Sequence, residues 1–297
     1  MVKGLEQRWS SYKSRLRHRY IPSLVDWLVR LSTYQARSQL RKMARVGILL
    51  DVTISQHAIT HETGWVSTGT SNWGGEEMAL GYSARIPVHY EDDSSDVYRN
   101  VSYLAGIADL CLGGHIDLYT SAELEDEKFR QPMGRYGRGY GYYDYSLLER
   151  LQIKSIDGHV FPALGPTYFG LPSAQAQQRS RLDHRRQNEI YRALVDLLGP
   201  KNSQDAWHIY TAEKYDLFCF LTMDFKLIRN VRAQSRGDPL KSFSTLVLTP
   251  EDFGKRFNLH PISPRLFSYH DATYPVRDDL TMPDGKRRPL KRYKRER

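Results

Sequence analysis

The spacing of apolar residues changes from helical to strand-like near residue 46. In residues 5–45 large apolar side chains recur at three- and four-residue steps, which predicts a helix, and Pro22 is the expected break. These side chains are Leu16, Tyr20, Leu24, Trp27, Leu28, Leu31 and Tyr34. Residues 46–54 then form an apolar run, interrupted by Asp51, of the length of a strand. Because it lacks polar alternation, we expect this strand to be buried on both faces in a parallel sheet.

The rest of the chain alternates between the two patterns. We predict further strands at 115–121, 217–221 and 244–248. We predict helices at 96–111, 122–131 (capped by Ser121), 173–198, from 202 or 203 onward, 225–233, and after Thr249-Pro250. Strands that alternate with helices favour an α/β fold with a mostly parallel central sheet flanked by helices in three layers.

Three parts of the chain follow from these patterns. Residues 1–45 are a basic helical N-terminal extension, 46–258 form the α/β domain, and 259–297 are an extended basic C-terminal tail. The domain carries two predicted insertions, at 55–93 and 132–172. Neither shows a clear period, and we interpret 55–93 as a long insertion or loop.

The net charge of +9 is distributed unevenly along the chain. Residues 1–46 hold eleven Lys and Arg against Glu6 and Asp26, and residues 286–297 hold eight against Glu296. The middle of the chain is therefore acidic. Basic ends around an acidic body are typical of an acidic centre flanked by segments that attract a polyanion.

The sequence favours a cytoplasmic protein without a membrane partner. No run reaches the about 20 apolar residues of a membrane span, and no secretory signal follows the first residues. Cys111 and Cys219 lie far apart in apolar segments, so two buried reduced thiols are expected rather than a disulfide or a zinc site.

Four acids occupy equivalent places beside the predicted strands. Asp51 lies near the end of the first strand, Glu123 in the first turn after the second, Asp205 at the start of a helix, and Asp224 after the third strand. In a doubly wound sheet these positions face one edge. Clustered carboxylates repel one another, and Mg²⁺ or Mn²⁺ relieves that repulsion with oxygen ligands. Glu125, Asp126 and Glu127 are rivals to Glu123.

The order of short blocks around these acids resembles PIN-domain nucleases over residues 46–257. The blocks are Leu-Leu-Asp51-Val-Thr-Ile, Thr-Ser-Ala-Glu123-Leu, Asp205-Ala-Trp-His-Ile-Tyr-Thr-Ala, Phe-Leu-Thr222-Met-Asp224 and Leu-Thr-Pro-Glu-Asp-Phe253. The resemblance implies a PIN-like fold and a metal-dependent endoribonuclease. It makes Asp51, Glu123, Asp205 and Asp224 the catalytic acids that hold the metal, with Thr222 hydrogen-bonding beside them. Thr53 stands where the family commonly has Asn. The alternative is a catalytically silent PIN-like protein that binds RNA or scaffolds an assembly.

Other residues suggest how a nucleic acid is held. Arg and Tyr interleave in residues 134–145, and such residues contact phosphates and stack on bases. The predicted nucleic-acid contacts are Arg135, Arg138, Tyr140, Arg185, Lys286, Arg287 and Arg288. The alternatives are a flexible loop at 134–145 whose tyrosines pack on the domain surface, a solvated face for the basic run that contains Arg185, and a solvated C-terminal tail. RNA is the expected ligand, with DNA as the alternative. The sequence is also compatible with a homo-oligomer or with an inhibitory partner protein. His208, one turn from Asp205, is interpreted as structural.

Overall fold

The computed structural model of the protein describes residues 2–43, 46–89, 95–130, 142–159 and 165–282. Its strands are β1 (Val46–Leu50), β2 (Ile59–Trp73), β3 (Glu76–Pro87), β4 (Ile116–Thr120), β5 (Tyr145–Ser146), β6 (Lys154–Ser155), β7 (Cys219–Leu221) and β8 (Leu246–Leu248). Its α-helices are α1 (Val2–Ser32), α2 (Tyr34–Leu40), α3 (Val52–His57), α4 (Asp96–Leu112), α5 (Ala122–Arg130), α6 (Ala174–Gln187), α7 (Glu189–Leu198), α8 (Ser203–Lys214), α9 (Phe225–Gln234) and α10 (Pro250–Arg256). Short 3₁₀ helices cover Pro166–Phe169, Pro200–Asn202, Leu240–Ser242 and Pro264–Tyr269.

The central sheet confirms the prediction of a parallel α/β fold. Its five strands, in the order β6-β4-β1-β7-β8, are all parallel. Side chains alternate between its two faces. Ile48 and Leu50 of β1 point into one buried cluster, whereas Leu49 points into the other. The first cluster packs against α1, α4 and α10, and the second against α7, α8 and α9. The sheet therefore lies between two helical layers.

The order of the strands sets the location of a site. From β1 the chain crosses to β4 on one side of the sheet, and it later returns to β7 on the other side. The carboxyl ends of the neighbouring strands β1 and β7 therefore lie at the point where the strand order reverses. Ligands of open α/β sheets bind in the crevice at such a point.

The N-terminal helix differs from its prediction at Pro22. Helix α1 continues through Pro22 and ends at Ser32, and α2 begins after Thr33. One face of α1 buries Val25 and Val29 in the core.

Of the two interpretations of segment 55–93, the loop is wrong for the described residues 55–89, and the insertion stays a prediction. The segment contains the end of α3 and a long antiparallel hairpin made of β2 and β3, with β5 pairing on the other side of β2. The strands are joined by Gly74 and Gly75, which both have positive φ. A two-residue Gly-Gly connection is a strong hairpin signal, because both positions require the left-handed region. Read in this way, Gly74-Gly75 predicts the hairpin.

Two further elements were predicted with the wrong form. The helix expected at 173–198 is two helices, because Asn188 ends α6 and its side chain caps α7 by accepting from the Tyr191 N–H. The tail expected to be extended from residue 259 contains the 3₁₀ helix at 264–269, whose Phe267 is buried.

Residues 283–297 lie outside the described part of the chain, and the domain boundaries stay a prediction. Within the described residues, no helix is long and apolar enough to cross a membrane.

Candidate functional site

Asp51 is the most firmly held acid at the edge of the sheet. It follows β1 and caps α3, where its Oδ1 accepts from the Val52 N–H at 2.7 Å. Its Oδ2 accepts from the hydroxyls of Thr53 and Thr222, each at 2.5 Å. The residue is 7% exposed. Burial raises the pKa of Asp51, and the Thr222 and Thr53 hydrogen bonds act in the opposite direction because they favour the charged form.

Two threonines connect the ends of β1 and β7. The Thr222 hydroxyl donates to Asp51 and accepts from the Asp224 N–H at 2.9 Å. The Thr53 hydroxyl donates to Asp51 and accepts from the Met223 N–H at 3.0 Å. Each hydroxyl thereby fixes a carboxylate of one strand end to the backbone of the other. Thr53 therefore contributes to the connection as Thr222 does.

Asp224 and Asp205 lie beside this connection. Asp224 caps α9, and its Oδ1 accepts from the Lys226 and Leu227 N–H groups at 2.8 and 2.9 Å. Asp205 lies in the first turn of α8 and is half-buried. Burial raises the pKa of Asp205 to about 6; His208 opposes the shift, while the charges of Asp51, Asp224 and Glu127 add to it. Asp51 and Asp224 therefore both act on Asp205, although the three aspartates come from three separate segments.

Glu123, predicted as the fourth metal-holding acid, has a different environment. Its Oε1 accepts from Arg181 Nε at 2.8 Å, and its Oε2 lies 3.2 Å from Arg185 Nη2. Arg181 also donates to Asp126. Glu123 and Arg185 are almost fully buried, so the structure places Glu123 in an ion pair between α5 and α6. The carboxylate needs no metal to balance its charge.

The N-terminal cap of α5 in the structure is not the predicted residue, Ser121. The first N–H of the helix, that of Ala122, donates to Asp157 at 2.9 Å. The Ser121 hydroxyl, expected to cap the helix, is buried and finds no hydrogen-bond partner among the described residues. Asp157 therefore performs the capping role from a segment distant in sequence.

Glu127, one turn after Glu123, is the acid of α5 that acts on the aspartates. Its charge raises the pKa of both Asp51 and Asp205. Its Oε2 lies 3.4 Å from His208 Nε2, which is an ion-pair distance without hydrogen-bond geometry. The sequence alone left Glu127 as one of three rivals to Glu123. The four-residue spacing of these two glutamates did not show which of them faces the aspartates.

His208 lies against the same cluster and was interpreted as structural. The ring is 1% exposed and packs against Phe220, with the ring centroids 5.8 Å apart. In the part of the chain that the structure describes, neither ring nitrogen has a hydrogen-bond partner. Its charge acts on Asp51 and Asp205. A buried imidazole without a hydrogen-bond partner lowers the stability of the fold, which makes His208 a candidate functional group.

The carboxylate oxygens at this edge are the kind of ligand that a hard divalent cation prefers, although the side chains are not positioned around one point. Across the described residues, no group of three or more His, Cys, Asp or Glu side chains is arranged to hold a metal ion. The charges of Asp51, Asp224 and Glu127 all oppose ionisation of Asp205, so negative charge is in excess around this residue. Oxygen ligands and a need for positive charge are what Mg²⁺ and Mn²⁺ satisfy.

The predicted nucleic-acid contacts are mostly not described by the structure. Arg135, Arg138, Tyr140, Lys286, Arg287 and Arg288 lie outside the described residues. Arg185 is described, and it is not on the surface. It is 2% exposed, with its guanidinium 4.7 Å from the centre of the Trp207 ring. Because it is buried and paired with Glu123, Arg185 cannot contact a nucleic acid in this conformation.

Comparison with known proteins adds no relative. No family model, no curated protein and no solved structure matches the chain.

Proposed function

We propose that the protein is a PIN-like, Mg²⁺- or Mn²⁺-dependent endoribonuclease. One observation supports this most: the Thr222 hydroxyl joins Asp51 to Asp224 at the neighbouring ends of β1 and β7, and the charges of both aspartates act on Asp205. The order of the short sequence blocks around these acids supports the same proposal. The basic ends of the chain favour a polyanionic substrate, for which RNA is our proposal and DNA the alternative.

The metal would be held by Asp51, Glu127, Asp205 and Asp224. Glu127 takes the place assigned to Glu123, because Glu123 is neutralised by Arg181 and Arg185 whereas Glu127 acts on two of the aspartates. When bound, the ion supplies an activated water and stabilises the charge that develops on the phosphodiester.

The residues of the chain prepare this centre. The two threonine hydroxyls and the Val52 N–H orient the Asp51 carboxylate and favour its ionised form. The two backbone N–H groups at the start of α9 hold Oδ1 of Asp224, which leaves its Oδ2 as the ligand atom. His208 borders the cluster from the apolar core and excludes water from that side.

The test has two measurements on the full chain: cleavage of RNA in the presence of Mg²⁺ or Mn²⁺, and Mn²⁺ binding measured by calorimetric titration. Asp51→Asn and Asp205→Asn should each abolish cleavage and weaken Mn²⁺ binding while the thermal melt remains cooperative. Asp196→Asn, which changes an exposed acid of α7, is the matched control and should behave like the wild type. Cleavage that persists in both variants and in EDTA would refute the proposal.

A second candidate is favoured by the geometry of the acids. Among the described residues, the acids are not arranged to hold an ion. This arrangement also fits a catalytically silent PIN-like protein that binds RNA. That candidate predicts RNA binding that is unchanged by Mn²⁺ and by Asp51→Asn. The calorimetric titration separates the two, because it does not depend on activity.

A further inference from the structure

Helix α1 carries an apolar stripe that the described residues of the chain leave exposed. The stripe consists of Leu16, Tyr20, Leu24, Trp27 and Leu31, with Tyr34 at the start of α2. The five α1 residues are 38 to 57% exposed and Tyr34 is 68% exposed. They follow one another at steps of three and four, so they lie on one face of the helix.

The core uses another face of the same helix. Val25 and Val29 are buried there, and Ser32 follows them at the next step. An ordinary surface helix has one apolar face, directed at the core, and polar residues elsewhere. Since α1 has a second apolar face, packing within the described fold does not explain its leucines and aromatic residues.

Cations flank the stripe. Arg17 is three residues before Tyr20, Arg19 is three after Leu16, and Arg30 is three after Trp27, so each borders the stripe on the helix surface. All three are exposed, and Arg19 lies over the Tyr20 ring with 5.5 Å to its centroid. The one acid in this part of α1, Asp26, lies 2.9 Å from His270 Nε2 through its Oδ1.

We propose that the stripe docks α1 in the plane of an anionic lipid bilayer surface. Charge complementarity requires an acidic partner, and three leucines require an apolar one. A second copy of the chain would bring the same arginines together, and a nucleic acid would leave the leucines in water. Tyr20, Trp27 and Tyr34 each have an apolar ring and a polar tip, and such residues are enriched at the headgroup level of bilayers. Arg19 and Arg30 reach the lipid phosphates from one side of the stripe, whereas Arg17, on the other side, is hydrogen-bonded with Tyr269.

Peripheral binding of this kind is distinct from spanning the bilayer. It does not require a long apolar segment, since an in-plane helix buries only one face. The proposal of peripheral binding replaces the expectation of no membrane partner, because that expectation was based on the absence of a membrane-spanning segment. The stripe is independent of the acids at the sheet edge, so it stands whether or not the protein is a nuclease.

The test is co-sedimentation of the full chain with vesicles of about three parts phosphatidylcholine to one part phosphatidylserine. The wild type should bind these vesicles, bind pure phosphatidylcholine more weakly, and dissociate as salt is raised. Leu24→Glu combined with Leu31→Glu should weaken binding at least about tenfold, because two leucines no longer enter the bilayer. Both positions are exposed, so the thermal melt should not change.

The matched control is Met78→Glu combined with Leu80→Glu on β3, which changes two apolar residues of similar exposure away from α1. It should bind like the wild type. Equal binding by the α1 variant, or no binding of the wild type to the anionic vesicles, would overturn the proposal. A wild-type dimer in sedimentation equilibrium that the α1 variant dissociates would instead assign the stripe to a second copy.

Discussion

The base of the hairpin and the edge of the parallel sheet both bury polar side chains, but the two clusters differ in how their charges are balanced. At the hairpin base, His61 contacts the hydroxyls of Thr60 and Ser268 through its two ring nitrogens, at 2.9 and 3.0 Å. Arg85 donates to four backbone carbonyls, those of Tyr143, Ser268, His270 and Asp271. This cluster joins β2, β3 and the C-terminal segment, and both ring nitrogens of His61 and the guanidinium of Arg85 have partners in it.

At the sheet edge the same kind of burial produces an unbalanced cluster. Carboxylates act on one another there, and the two ring nitrogens of His208 lack hydrogen-bond partners among the described residues. Our proposal assigns the first cluster to support of the fold and the second to a ligand. Variants at the hairpin base should therefore reduce stability, whereas variants of the aspartates should reduce metal binding.

The sharpest test compares two glutamates one turn apart on α5. Glu123→Gln should lower the free energy of unfolding by about 3–5 kcal/mol, because the buried Arg185 is left without its counter-charge. Glu127→Gln should change stability little, since this side chain is 33% exposed, but should weaken Mn²⁺ binding. Urea unfolding and calorimetric titration measure the two effects. If Glu123→Gln abolished Mn²⁺ binding without loss of stability, Glu123 would be the ligand.

Arg85→Met should destabilise the protein by about 1–3 kcal/mol, because it leaves buried carbonyls without donors. The matched control is Arg150→Met, which removes an exposed ion pair with Asp271 and should cost less than about 1 kcal/mol. Denaturant unfolding checks both. Mn²⁺ binding should be unchanged in each variant, and a loss of binding in Arg85→Met would show that the two clusters are coupled.

The pH dependence of stability should carry the signature of His61. Burial, together with the charge of Arg85, lowers the pKa of His61 to about 3 from the ordinary 6.5. The unfolded chain takes up a proton below pH 6.5 and the folded protein does not, so this contribution is complete above pH 6.5 and is lost as the pH falls towards 3. The slope should approach about 1.4 kcal/mol per pH unit.

His61→Leu should flatten that part of the profile. Unfolding midpoints between pH 7 and pH 4 provide the measurement. A variant whose profile has the same slope as the wild type would show that other groups dominate the acid transition.

The smallest expected effect is a gain in stability. Asp205→Asn removes a half-buried charge that Asp51, Asp224 and Glu127 repel, so the metal-free protein should become more stable at pH 7 by on the order of 1 kcal/mol. Added Mn²⁺ should raise the melting temperature of the wild type and not that of the variant. A loss of stability in metal-free buffer would mean that Asp205 is a structural residue like those at the hairpin base.

Much of the architecture is local and could be predicted. Continuous apolar runs predict the buried strands. The residues around Thr249 predict the start of a helix, and in the structure Thr249 and Asp252 form a capping box there. The hairpin also has a local signal in Gly74-Gly75, although its strands lack the regular alternation that the prediction required. Asp205 and Asp224 lie at a helix start and a strand end as their sequence context indicates.

The sequence by itself determined the alternation of strands and helices around the parallel sheet and the placement of three aspartates at strand ends and helix starts. Only the tertiary structure decided the neighbours of each helix face. It paired Glu123 with Arg185, turned Glu127 towards the aspartates, buried His208 and left the α1 stripe uncovered. The physical reason is that spacing along a helix shows which residues share a face, while the residues opposite that face come from segments distant in the chain.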